Sequence, residues 1–206
     1  MQDHVRYVRI KRVIHEKIDI WLPPYDPHIM IELNPKLFEL PQEEVKRYGL
    51  QALTYGSLTE KGLKAITKHL ELYVPNDKLD GFDLGCGDGE LIYHLQNQMP
   101  GSRWEGVEIS QHRIDQQQRD VLIWQGDMLK ESYKPYNVLH ADNLCLDDYT
   151  ADLLEQKIAS EFSGIYITYR TPQNMKFLKK AKFLETLLTE TTWCPKGHHP
   201  IHFYFI

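Results

Sequence analysis

The stretch Phe82-Asp83-Leu84-Gly85-Cys86-Gly87-Asp88-Gly89-Glu90 decides the fold. It sets a carboxylate and three glycines at G-x-G-x-G spacing where a strand turns into a helix, Leu91 to Gln98. Glycine permits the tight bend and lets a ligand approach bare backbone, and the N–H groups opening the helix then face that ligand. The spacing is not the G-x-G-x-x-G of dinucleotide enzymes. An acid just before the glycines suits a cofactor with a cationic amino-acid end better than one carrying a pyrophosphate.

Matching groups follow at the next strand ends. After the turn Met99-Pro100-Gly101, the run Trp104 to Ile109 carries Glu108 near its end. An acid about twenty residues past the glycines can accept both hydroxyls of a ribose. A third strand, Asp120 to Trp124, runs into Gly126-Asp127-Met128, so Asp127 can accept from an adenine amine while the Met128 backbone N–H meets a ring nitrogen. Ligands of open α/β sheets bind beyond the carboxyl ends of the strands. Asp83, Gly85, Gly87, Gly89, Glu90, Glu108, Asp127 and Met128 are therefore the candidate cofactor-binding residues, and S-adenosylmethionine is the cofactor they fit. A fourth strand, Tyr136 to His140, ends in Ala141-Asp142-Asn143-Leu144-Cys145, where the methyl group is expected.

Tyr55-Gly56-Ser57, the glycine turn, Gly106-Val107-Glu108, Gly126-Asp127-Met128, Asp142-Asn143-Leu144, Trp193 and Phe203-Tyr204 occur in that order over about residues 50 to 206. Together they resemble the disruptor-of-telomeric-silencing (Dot1-like, non-SET) histone-lysine methyltransferases. The resemblance implies a class I methyltransferase fold, S-adenosylmethionine as cofactor, and a histone in the nucleosome as substrate; nucleus or cytosol is the compartment expected from the cysteine pattern and the absence of a secretory or membrane-length apolar run. It implies that Asn143 positions the amine or the methionine end and that Tyr55, Trp193 and Tyr204 wall a lysine channel. The family usually has an acid and a hydroxyl residue after Tyr-Gly. Here Ser57 and Leu58 stand there, and Thr59, one place later, joins the expected cofactor-binding residues. Two other functions fit the same motifs: methylation of a non-histone protein or small molecule, and a cofactor-binding scaffold without catalysis.

Lysine methylation needs a neutral amine, whereas an unperturbed lysine is almost wholly protonated at neutral pH. A poorly hydrated aromatic channel and a nearby sulfonium both lower that pKa, so no dedicated base is obligatory.

The chain has 206 residues and a formal charge of −5. It lacks the global basic character that drives nonspecific nucleic-acid binding. Weak DNA contact would fall to Arg6, Arg9, Lys11 and Arg12 and to Lys176, Lys179, Lys180 and Lys182. Three widely spaced cysteines, Cys86, Cys145 and Cys194, form no disulfide framework and argue for a reducing compartment. No secretory h-region or membrane-length apolar run is present. Cys194, His198, His199 and His202 cluster in sequence, but no second ligand pair of zinc-site spacing accompanies them and no metal is expected.

The expected architecture is α/β: a mostly parallel seven-stranded sheet of Rossmann-like class I methyltransferase type with helices on both faces. Residues 1–58 read as an accessory segment, with strands Val5 to Ile14 and Lys17 to Leu22 before Pro23-Pro24 and a short helix Pro41 to Tyr48. Residues 59–206 read as the catalytic domain. Its helices are expected at Thr59 to Tyr73, Ser110 to Arg119, Ala151 to Ser160 and from Asn174, and its last strands at Gly164 to Tyr169, Phe183 to Thr189 and Ile201 to Ile206.

Overall fold

The structure, a computed structural model, describes residues 34–206. The expected N-terminal hairpin and the Arg6, Arg9, Lys11, Arg12 cluster lie outside the described residues. Strands β1 (Asp80–Leu84), β2 (Arg103–Glu108), β3 (Leu122–Gln125), β4 (Val138–Ala141) and β5 (Ile165–Thr168) pair in parallel. Strands β6 (Lys182–Thr191) and β7 (Cys194–Phe205) form a hairpin, and β7 lies antiparallel on β5. The order β3-β2-β1-β4-β5-β7-β6 makes one mixed seven-stranded sheet. The chain winds outward from β1 to β3 and then returns to the other side of β1 with β4. That reversal opens a crevice between the β1 and β4 ends.

Helices α1 (Gln42–Tyr48), α2 (Glu60–Leu70), α3 (Glu90–Gln98), α4 (Gln111–Ile114), α5 (Asp148–Glu161) and α6 (Met175–Lys180) accompany the sheet. On one face α2 and α3 bury Leu63, Ile66, Leu70, Ile92 and Leu95 against Val138, Ile167, Ile201 and Phe203. On the other, α5 and α6 bury Leu154, Ile158 and Phe177 against Phe82, Leu139, Tyr166 and Tyr204. The period-two alternation of the strands feeds both cores.

The helix expected over Ser110 to Arg119 stops at Ile114. The Gln117 side-chain amide donates to the Arg119 and Val121 carbonyls, supporting a non-helical turn after it. The β6–β7 hairpin is longer than its sequence suggests, because Pro195, Gly197 and Pro200 read as breakers. Only His202–Phe205 of β7 pairs with β5, so both prolines fall where β7 has a neighbour on one side alone. The extra length carries Trp193 and His199 toward the strand ends.

Residues before α2 share these cores. Leu58 is buried among α2 and α3 side chains and bridges to Thr191, and Thr192 N–H donates to the Ser57 carbonyl. The Glu44 carboxylate of α1 accepts from Ser110 Oγ and His112 N at the start of α4.

Candidate functional site

The glycine turn forms as its spacing requires. Gly85, Gly87 and Gly89 have φ of 92°, 61° and 79°, and Gly89 caps α3. These values lie in the left-handed region that side chains with a Cβ rarely occupy. A narrow cleft opens at the β1–β4 crevice. Its walls are the strap Tyr55–Leu58, Asp83 and Gly85 of β1 and its turn, His140 and Asp142 at the end of β4, and Tyr169 after β5.

The β1–β4 register places Asp83 beside His140. His140 Nδ1 lies 2.7 Å from Asp83 Oδ1, and His140 Nε2 lies 3.0 Å from the Tyr169 hydroxyl. All three side chains are buried. Burial, then Asp142 and Asp83, push the Tyr169 phenol up and keep it protonated. Tyr55 lies over the glycine turn with its hydroxyl donating to Asp88 Oδ1 at 3.3 Å, its ring 6.0 Å from that of Phe38 and beneath the Arg113 guanidinium at 5.0 Å. Burial also raises the Asp88 carboxyl.

Glu108 is buried at the end of β2. Its Oε2 accepts from Gly87 N at 3.0 Å, its Oε1 accepts from Ser110 N at 2.9 Å, and Arg113 Nη1 stands 3.7 Å away. Asp127 accepts from Leu129 N at 3.0 Å and pairs with Lys130 at 3.4 Å after β3, while the Met128 carbonyl accepts from Tyr133. Glu108 thus ends its strand and Asp127 stands just past the end of its own.

Of the expected site residues, Tyr55, Asp83 and Gly85 line the cleft, and four others are committed to contacts elsewhere. Glu90 forms a forked ion pair with Arg119 and contacts His94, at the start of α3 and outside the cleft lining. Thr59 caps α2 by accepting from Gly62 N, and its own hydroxyl faces Glu190. Asn143 is held from three sides: its Oδ1 accepts from Thr168 Oγ1 and Tyr169 N, and its Nδ2 donates to the Tyr166 hydroxyl. It fastens the β4 end to the β5 end. Tyr204 packs on Phe177 and Phe183 in the core under α5 and α6, because the alternation of β7 turns it away from the face bearing Phe203. Trp193, at the hairpin turn, lies 5.9 Å from Tyr169 and presses on Gly56, where a Cβ would come within 2.4 Å of the indole.

Sequence reasoning missed His140, Asp142 and Tyr169 as site groups, together with the buried Arg113. A histidine inside the apolar strand Val138-Leu139-His140-Ala141 was the available signal, since a buried polar side chain needs a partner. Cys194, His198, His199 and His202 do not converge: His202 engages Thr186 and Thr171, and His199 packs on Tyr169 and Trp193. Among the described residues no three His, Cys, Asp or Glu side chains gather as a metal-ligand set.

Burial pushes the Asp142 carboxyl up to about 6 from its ordinary 3.8, Asp83 adding to the rise while His140 and the Leu144 N–H oppose it. A raised acid is neutral in both folded and unfolded chains at low pH, and its stabilising contribution is lost as pH rises through the folded value. Stability should thus fall by up to about 3 kcal/mol between pH 4 and pH 7 from this group alone. Urea melts of wild type and Asp142→Asn across that range measure it. The variant should lose this part of the pH dependence, and identical pH profiles would place Asp142 in a water-like setting instead.

A scan against protein-family models finds no match, and no curated protein matches the chain. Solved structures do. The mitomycin 7-O-methyltransferase MmcR aligns at 15% identity and TM-score 0.51, covering 82% of this chain and 60% of its own. A structure solved for the conversion of a disulfide bond into a thioacetal group during echinomycin biosynthesis aligns at 10% identity and TM-score 0.51, over 70% of this chain and 81% of that one. The plantazolicin methyltransferase BpumL, in complex with a monoazolic desmethylPZN analog and SAH, aligns at 20% identity and TM-score 0.42 over 52% of this chain and 44% of its own. The chain spans about half the length of the plantazolicin and geranyl diphosphate methyltransferases it matches. Strand order, glycine turn and the two alignments above TM-score 0.5 together show a Rossmann-like fold of class I methyltransferase type.

Proposed function

We propose that the chain is an S-adenosylmethionine-dependent methyltransferase whose acceptor is a small molecule. One observation carries the cofactor: the cleft over the glycine turn is lined by the carboxyls of Asp83 and Asp142, and among the described residues no lysine or arginine lines it. Desolvated acids favour a cationic guest and repel a pyrophosphate. Asp83, whose Oδ2 is not used by His140, is suited to the ammonium of the methionine end. The Gly85 and Gly87 backbone gives the close approach, Glu108 and Asp127 offer acceptors for ribose and adenine, and Tyr55 closes the site. When bound, the cofactor supplies an electrophilic methyl group on sulfur. The chain's part is alignment of acceptor and donor and exclusion of water.

For the acceptor, the mitomycin enzyme's name describes a small-molecule O-methyltransferase, which supports the same class here. The histone reading rests on motif resemblance, and two of its residues, Asn143 and Tyr204, serve the scaffold and the opposite core. Calorimetry with S-adenosylhomocysteine tests the cofactor, with ADP as the anionic control. Homocysteine-adenosine binding without ADP binding is expected, and the reverse would overturn the proposal. Labelled S-adenosylmethionine offered with phenols, amines, peptides and nucleosomes then ranks acceptors. Label confined to the globular core of nucleosomal histones would replace the small-molecule reading with the histone one. Binding without transfer to any acceptor would leave a scaffold.

A further inference from the structure

We infer that Asp83, His140 and Tyr169 form a proton relay in which the Tyr169 hydroxyl is the group that takes a proton from the acceptor, so that the acceptor's nucleophile is a hydroxyl or a neutral amine that still carries an N–H. This rests on the methyltransferase reading and assigns the chemistry of its acceptor end.

The hydrogen-bond inventory fixes the direction of the relay. An ionised carboxylate only accepts, so His140 Nδ1 carries the proton facing Asp83 at 2.7 Å. In the neutral ring Nε2 is then an acceptor, and the Tyr169 hydroxyl donates to it at 3.0 Å. With its hydrogen aimed at His140, the phenol oxygen keeps lone pairs for another donor, and Tyr169 lines the cleft. The Tyr169 N–H donates to Asn143 Oδ1, which fixes the backbone that carries this ring. The surrounding groups complete the setting: Asp83 from β1, Asp142 after β4, Cys86 from the glycine turn, and the His199 ring of β7, 5.8 Å from the Tyr169 ring. The unpartnered Trp193 Nε1 and His199 Nε2, both buried beside Tyr169, show no competing hydrogen bond to its hydroxyl.

The step balances. The acceptor lone pair forms the new bond to the methyl carbon, and the carbon–sulfur bond of the sulfonium donor breaks with its electron pair left on sulfur. The acceptor's proton passes to the Tyr169 oxygen while the Tyr169 proton passes to His140 Nε2. The resulting imidazolium is held against the Asp83 carboxylate and later gives its proton to water. Tyr169 is the catalytic residue, and His140 and Asp83 are positioning residues that act through it. A thioether or tertiary amine has no proton to give and would not use the relay.

Tyr169→Phe keeps the ring and removes the oxygen. With labelled S-adenosylmethionine and a set of simple phenols and primary amines as probes, its turnover should fall by about 10²–10⁴. S-adenosylhomocysteine affinity and acceptor KM should stay within about threefold of wild type. Because hydroxide can replace the missing group, the variant's rate should climb about tenfold per pH unit where the wild type is flat. A second readout needs no turnover: in ¹⁵N spectra of histidine-labelled protein, His140 should show a protonated Nδ1 and a hydrogen-bonded, unprotonated Nε2 that shifts in Tyr169→Phe. His140→Gln should lower turnover as Tyr169→Phe does. Homocysteine-adenosine that fails to bind wild type would sink the cofactor reading itself. Binding with full Tyr169→Phe activity, with an unmoved His140 resonance, or with no phenol or amine methylated would overturn the relay and leave the cofactor reading standing.

Discussion

Replacing Glu108 by alanine is expected to cost about 3–5 kcal/mol of folding stability in the absence of any ligand. The carboxylate is 3% exposed and ties the glycine turn to α4: it accepts from Gly87 N and from Ser110 N, with the Arg113 guanidinium of α4 3.7 Å away. Burial pushes its carboxyl up even though Arg113 and the two N–H groups pull it down. The pair is thus no bargain relative to water, yet breaking it is worse, because alanine leaves the Arg113 charge buried without its counter-ion. Arg113 is itself 3% exposed, and its Nε has no acceptor. Its other contacts, the Leu53 carbonyl and the Tyr55 ring, hold the strap over the cleft, so the strap should loosen too. Urea denaturation of apo protein measures the loss. A double variant, Glu108→Ala with Arg113→Met, should recover part of it, since removing both charges deletes the uncompensated one. A single-variant loss below about 1 kcal/mol, or strict additivity in the pair, would show that water reaches this site.

The same residues show why the fold was more legible than the site. The glycine turn and the strand-end acids Glu108 and Asp127 are local signals: positive φ demands glycine, and a strand followed by a polar loop reads directly from the chain. Strand existence followed from apolar runs, though β6 and β7 extend past the expected ends because pairing between them stabilises residues that local propensity would leave as loop. The site needed the register. Asp83 and His140 are 57 positions apart and meet only because β4 docks beside β1 in one alignment, and Tyr169 joins them from β5. Asn143, polar and next to the expected methyl position, looks functional in sequence, but three partners on β5 and its end hold its amide to the scaffold. The resemblance implies a channel wall at Tyr204, and the side-chain period of β7 sends it to the opposite core.

Gly87→Ala is expected to weaken S-adenosylhomocysteine binding by at least about 100-fold, close to 3 kcal/mol. Two effects act at one position. The backbone there sits at φ 61°, which costs a residue with a Cβ roughly 1–2 kcal/mol. The added methyl would also stand 2.3 Å from Tyr55 Cε2, a separation that forces the ring to move. Tyr55 cannot tilt freely, since its hydroxyl is tied to Asp88, Arg113 lies on one face and Phe38 abuts the ring. The strap Tyr55–Leu58 is in turn anchored to the hairpin through Ser57 and Thr192, so displacement of Tyr55 opens the cleft that the strap closes. Gly87 N also donates to Glu108, and a shifted turn would misalign the proposed ribose acceptor. A double-variant cycle separates the two effects. In a Tyr55→Ala background the methyl has no ring to meet, so Gly87→Ala should then cost only its backbone strain. If the substitution costs the same in both backgrounds, the ring does not govern the turn, and the closure assigned to Tyr55 fails with it.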